Sequence, residues 1–170
     1  MRLKKHIFLT AIICVIFISS IITMCACGKS EPKLELDNLE DWSICFKGPY
    51  VASANGGEEV EYKLSDYIHK DNPMTVRYKG GGHFINIDCD VRYKGEVQKD
   101  IWISWDMLPR YKAKGSSEWR SIMGANIPIK DNGEYLFTDC IIAHKDKFST
   151  GNGGVGISGG LSFNLKIIVV

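Results

Sequence analysis

The sequence predicts an all-β domain, an antiparallel β-sandwich of immunoglobulin-like general architecture. Three observations carry that prediction. Apolar residues recur with period two along several stretches, turn signals separate the stretches at intervals of about 8–12 residues, and no long helical period intervenes. Strand side chains alternate between the two sheet faces, so period two gives each segment one face to bury and one to wet.

Ahead of the β pattern stands a segment of another kind. Arg2, Lys4 and Lys5 are followed by Ile7 through Met24, 18 positions without a charge. A basic tip, an apolar stretch and a small residue at the cut site are the parts of an export signal. The run lies between a signal's roughly 7–15 apolar residues and the about 20 of a spanning helix. Thr10, Ser19, Ser20 and Thr23 dilute it toward the signal. An uncleaved signal anchor is the alternative, and either way the basic tip stays in the cytoplasm and the rest of the chain lies outside.

Ala26-Cys27-Gly28 closes the run. With its small residue before a cysteine, it resembles the lipobox of bacterial lipoproteins, although Met24 stands where Leu is usual and Cys25 where a small residue is usual. The resemblance covers the first 28 residues. It implies cleavage between Ala26 and Cys27, acylation of Cys27 with palmitate-type chains, and attachment to the extracytoplasmic face of the cell membrane. Two or more chains hold firmly because each buried methylene contributes about 0.8 kcal/mol. The expected organisation is a signal peptide over 1–26, the lipidated cysteine and a polar tether over 27–41, and a β domain over 42–170. Gly28-Lys29-Ser30 in the tether is not a phosphate loop, since that motif requires glycine where Thr23 stands.

Without the three basic residues of the signal, 18 Lys and Arg face 20 Asp and Glu. With no basic excess and no interleaving of basic and aromatic residues, nucleic acid is not an expected partner. Cys45, Cys89 and Cys140 remain in the domain. Three cysteines allow at most one disulfide, by any of three pairings, and the plainer reading makes them small buried apolar residues.

Along the domain, Trp42–Lys47, Val60–Leu64 and Met74–Lys79 are strand candidates. In His83–Tyr93, Ile85, Ile87, Cys89, Val91 and Tyr93 alternate with Asn86, Asp88, Asp90 and Arg92. Ile101, Ile103, Trp105 and Met107 alternate with Trp102, Ser104 and Asp106. Ser117–Met123 suits one helical turn. Ile122–Ile129 and Glu134–Ala143 are further strands, and Asn132-Gly133 between them supplies the positive φ angles of a hairpin. Leu161, Phe163, Leu165, Ile167 and Val169 mark the last strand. Its tail, Ile167–Val170, is apolar on both faces and is expected to be paired inside a sheet, because an open apolar edge aggregates.

Gly156-Ile157-Ser158-Gly159-Gly160 matches the nucleophile-elbow pattern, yet a strand rather than a helix follows, and no Asp, Glu or His comes after Ser158. Asn86, Asp88 and Asp90 are calcium-type ligands on one strand face, but successive ones sit nearly 7 Å apart, too far to wrap one ion unaided. His69, His83, His144, Cys89 and Cys140 show no metal-binding spacing. No metal, cofactor or catalytic residue is expected. Aromatics are the better lead. Trp102 falls on the polar side of its strand beside Ser104 and Asp106, with Tyr111 and Trp119 following, and an indole beside hydrogen-bonding groups can stack on a sugar or anchor a protein. Trp102, Ser104, Asp106 and Trp119 are therefore the candidate surface for a carbohydrate or protein ligand. The expected activity is non-enzymatic binding or envelope support. The alternative is a hydrolase of envelope or extracellular polymers, built from distant residues such as His144 with Asp106 or Asp139.

Overall fold

The strand β1 (Trp42–Phe46) is buried at every position, so it is covered on both faces. Trp42, Ile44 and Phe46 point into the core, while Ser43 and Cys45 point to the opposite face. In the computed structural model, which describes residues 32–48, 50–51, 59–79, 84–106, 108–122, 132–151 and 154–170, this strand is central in one of two main sheets. The expected signal peptide over 1–26 and the expected lipidation site, Cys27, lie outside the described residues.

The remaining strands are β2 (Tyr50–Val51), β3 (Val60–Lys63), β4 (Met74–Tyr78), β5 (Cys89–Tyr93), β6 (Glu96–Val97), β7 (Ile101–Ser104), β8 (Arg110–Ala113), β9 (Arg120–Ser121), β10 (Gly133–His144), β11 (Phe148–Gly151), β12 (Gly154–Ile157) and β13 (Leu161–Val169). The smaller sheet has the order β3-β1-β5-β6. The larger has the order β2-β4-β13-β10-β8-β9, with β7 also pairing with β10. β11 and β12 form a separate hairpin. Trp42, Ile44 and Val91 from the small sheet share one apolar core with Val76, Phe137, Phe163 and Leu165 from the large one. The fold is an all-β sandwich.

One pair departs from a wholly antiparallel arrangement. β13 runs antiparallel to β10 and parallel to β4. No hairpin constrains strands so far apart in sequence, and the last strand inserts between the two. That insertion pairs the C-terminal tail inside the sheet as expected: Ile167 lies opposite both Val76 and Tyr135, Val169 lies opposite Tyr78, and Val170, itself exposed, donates its N–H to the Tyr78 carbonyl at 3.0 Å.

The folded unit begins at Leu34, eight residues ahead of the expected start at Trp42. A 3-10 turn over Leu36–Asp41 buries Leu39, and Leu34 packs against the core, so two leucines of the segment expected to be a tether belong to the domain's packing. Lys94-Gly95 has positive φ at both residues and joins β5 to β6 with a two-residue loop. Two other expectations fare differently. The helical turn expected over Ser117–Met123 is replaced by β9, because Arg120 and Ser121 pair with β8. The strand expected over Ile122–Ile129 falls mostly outside the described residues. Among the described residues, no helix is long and apolar enough to cross a membrane.

β10 contains the main irregularity. Tyr135 and Phe137 face the core, and so do Cys140 and Ile142, so the buried positions change from odd to even. One extra residue makes that change: the register against β13 shifts between Phe137 and Cys140, and Asp139 takes a φ of 56°.

Candidate binding groove

Among the described residues, β6 pairs only with β5 and β7 only with β10, so two sheet edges meet at a short connection. Two bonds pin that connection. Gln98 N–H donates to the Val91 carbonyl at 2.8 Å, and Lys145 N–H donates to the Asp100 carbonyl at 2.8 Å. Lys145 and Asp100 also form an ion pair at 2.7 Å, which holds the Asp100 carboxyl below its ordinary range. Among the described residues, no strand joins the two sheets here. Ile87, Cys89 and Val91 on one side and Ile101, Ile103 and Trp105 on the other line a groove of about 510 Å³. Asp88, Asp90, Gln98, Lys99, Val97 and Trp102 complete its lining with polar groups, a valine and an indole.

The groove's two tryptophans are held differently. Trp105 meets Phe163 edge-on, with ring centroids 6.0 Å apart. Trp102 points outward, 52% exposed, and leans on Phe148 at 5.8 Å with the planes tilted by 49°. One ring is built into the wall; the other stands beside the opening with much of its surface free.

The four residues expected to form one surface are not brought together. Trp102 and Ser104 share a face of β7, and Ser104 is half-buried. Asp106 serves the fold: one carboxylate oxygen accepts from Leu108 N–H at 2.8 Å, and the other from Thr138 at the bulge. Trp119 lies elsewhere, with Lys112 Nζ 4.9 Å and the Arg110 guanidinium 6.0 Å from its ring centre. Its β8 neighbour Arg110 sits opposite Leu136, whereas Trp102 sits opposite Ala143. Seven positions along a strand are about 23 Å.

The hydrolase constellation does not converge either. His144 lies opposite Ile101, and its Nε2 accepts from Leu34 N–H at 3.5 Å. Asp106 meets Thr138, six positions back along β10, or about 20 Å. Asp139 is at the same bulge, where its N–H donates to Asn164 Oδ1 at 3.2 Å. Ser158 closes the β11–β12 hairpin: its N–H donates to the Lys147 carbonyl at 3.0 Å, and a strand follows it.

Of the calcium-type trio, Asp90 is in β5 and pairs with Lys47, while Asn86 and Asp88 precede the strand. His69 bonds Ser162 Oγ at 3.1 Å, and His83 lies outside the described residues. Among the described residues, no three His, Cys, Asp or Glu side chains are grouped to hold a metal ion. Cys45, Cys89 and Cys140 are free thiols. Cys45 and Cys89 occupy neighbouring strands but opposite faces, since Cys45 lies opposite Asp90. Burial pushes the Cys89 and Cys140 thiols up to about 12, and burial, opposed by Arg92 and reinforced by Glu59, pushes Cys45 up to about 11.

Sequence reasoning reached Trp102 but not the wall opposite it. The Ile87-Cys89-Val91 alternation identified an inward face; only the strand pairing reveals that this face ends at an open seam. Comparison with protein-family models, with curated proteins and with solved structures finds no match.

Proposed function

We propose that this chain is an extracytoplasmic lipoprotein, anchored in the cell membrane through acylated Cys27, whose sandwich acts as a non-enzymatic binding or envelope-support module. The groove between β5 and β7 is its recognition site, and the ligand is a carbohydrate or a protein segment that offers an apolar or ring face to Trp102. The observation that carries this reading is the exposed indole beside an apolar seam of about 510 Å³. An indole left half in water has apolar area still to bury. Covering about 100 Å² of it contributes roughly 2–3 kcal/mol, enough to make Trp102 a binding anchor. Support for the membrane anchor comes from the Ala26-Cys27-Gly28 motif behind an uncharged run.

Titrating the full chain with the dye 1-anilinonaphthalene-8-sulfonate, followed by energy transfer from tryptophan, tests the groove. Trp102→Ala and Ile103→Ser should each weaken binding about tenfold, the loss of roughly 1.4 kcal/mol, without abolishing the cooperative unfolding transition. Equal affinity in wild type and both variants refutes the groove as the site.

A further inference from the structure

The outer face of the large sheet has a charge of its own. In one row across it, Arg77, Ile168, Glu134 and Lys112 are neighbours on β4, β13, β10 and β8; in the next row, Thr75, Lys166, Leu136 and Arg110 are neighbours on the same strands. Four cations and one carboxylate thus share a strip about 14 Å across, at ~4.8 Å per strand. Glu134 is already bound to Lys112 at 3.2 Å, and the nearby Glu118 to Arg120 at 3.4 Å. Arg77, Lys112 and Lys114 also line a groove of about 540 Å³ beside these rows, with Ser116, Asn132 and the Lys112-paired Glu134 as its further polar groups. The chain beyond Ala26 carries 18 basic against 20 acidic residues, so this strip is a local segregation of charge and not a general excess.

From these observations we infer that the strip and its groove bind an extended anionic polymer, with phosphate or carboxylate groups seated against Arg77, Lys114, Lys166 and Arg110. Two features fit this occupant. The cations stand on β4, β13 and β8, on both sides of β10, so they span the width of four strands, which suits a chain of repeated charges better than one compact anion. Lys112 and Arg110 also lie over the Trp119 ring, which holds two long side chains in place at the strip's border. The site is separate from the Trp102 groove, and its reality does not depend on that groove having a ligand.

The test uses the full chain in non-ionic detergent, titrated with long-chain inorganic polyphosphate over a range of salt concentrations. Binding should weaken steeply with salt, and Arg77→Glu with Lys114→Glu should lower the slope of log affinity against log salt by about two, one for each cation lost. A control with the same charge change elsewhere, Lys63→Glu with Lys147→Glu, should leave the slope unchanged. Three results overturn the proposal: no binding of polyphosphate by the wild type; equal losses in the two double variants, which would mean bulk charge alone; or binding to micelles doped with phosphatidylglycerol but not to polyphosphate, which would make the strip a membrane contact. Circular dichroism of each variant separates loss of folding from loss of the site.

Discussion

Asp106 Oδ2 accepts hydrogen bonds from both the backbone N–H of Thr138, at 3.0 Å, and its hydroxyl, at 3.3 Å. The pair sits where β10 changes the face it turns to the core. From the other side of the strand, Asn164 Oδ1 accepts from Asp139 N–H at 3.2 Å. The extra residue of the bulge leaves backbone donors without ladder partners, and two neighbouring segments supply acceptors for them. The bulge is what lets one strand pair with β8 at one end and β7 at the other while filling the core along its whole length.

Removing that acceptor therefore has a defined cost. Asp106→Ala should lose about 1–3 kcal/mol of stability, because the Thr138 N–H is left without its partner in a half-buried setting. Asp106→Asn, which keeps one acceptor oxygen, should lose less. Urea unfolding of the three proteins measures the difference. Indistinguishable midpoints would mean the bulge is held by β13 alone.

Gly160, just before β13, is a second constrained position, one that only glycine fits. Its φ is +134°, and a Cβ there would lie 2.6 Å from Ile141 Cγ2 and 2.9 Å from the Ile142 carbonyl oxygen. Gly159 has a similar φ of +142°, but nothing lies within 4 Å of its position. Gly159→Ala should cost about 1–3 kcal/mol from backbone strain alone, and Gly160→Ala clearly more, since the clash adds to the strain. Equal thermal shifts in the two variants would contradict the close approach of this loop to β10.

Alkaline pH should weaken the fold through its thiols. Burial raises Cys140 from an ordinary value of 9.0 to about 12 in the folded chain. A raised value means the neutral thiol is favoured by folding. Its contribution is intact below about pH 9 and is lost as pH rises from there toward 12, at up to about 1.4 kcal/mol per pH unit. Denaturation midpoints followed between pH 7 and 10.5 should fall, and the fall should be shallower in Cys140→Ala. A pH-independent midpoint in the wild type would show that the thiol is not sequestered.

The two groove tryptophans should separate stability from recognition. Trp105→Ala removes a ring packed on Phe163 and should cost about 2–4 kcal/mol, whereas Trp102→Ala should cost under about 1 kcal/mol because so much of that ring is already in water. Thermal melts of the two variants check this. The reverse order would place the structural ring at Trp102.

Period-two alternation is enough to locate β1, β3, β4, β7 and β13, because each of these strands turns one apolar face toward the core, half-buried in β3, or is covered on both. It also identified Trp102 as the ring turned outward. What alternation does not carry is pairing. The parallel neighbours β4 and β13 are more than eighty residues apart, and no local signal ties them together. The same holds for the groove, whose walls come from separate sheets and are lined up by where the edges stop. β8, Arg110–Ala113, was hidden because Arg110 and Lys112 face outward and only Tyr111 reaches the core, too short a pattern to stand out. Asp106 misled for a related reason: a carboxylate on a polar face looks available until the bulge that consumes it is known.

The central claim is that the sandwich is carried on a lipid attached to Cys27, and mass spectrometry of the N-terminal peptide from native membranes tests it most directly. The account predicts a peptide starting at Cys27, with acyl chains on its sulfur, and an uncleaved precursor in Cys27→Ala. A mature protein that retains Met1, or one that starts elsewhere with an unmodified Cys27, would contradict it.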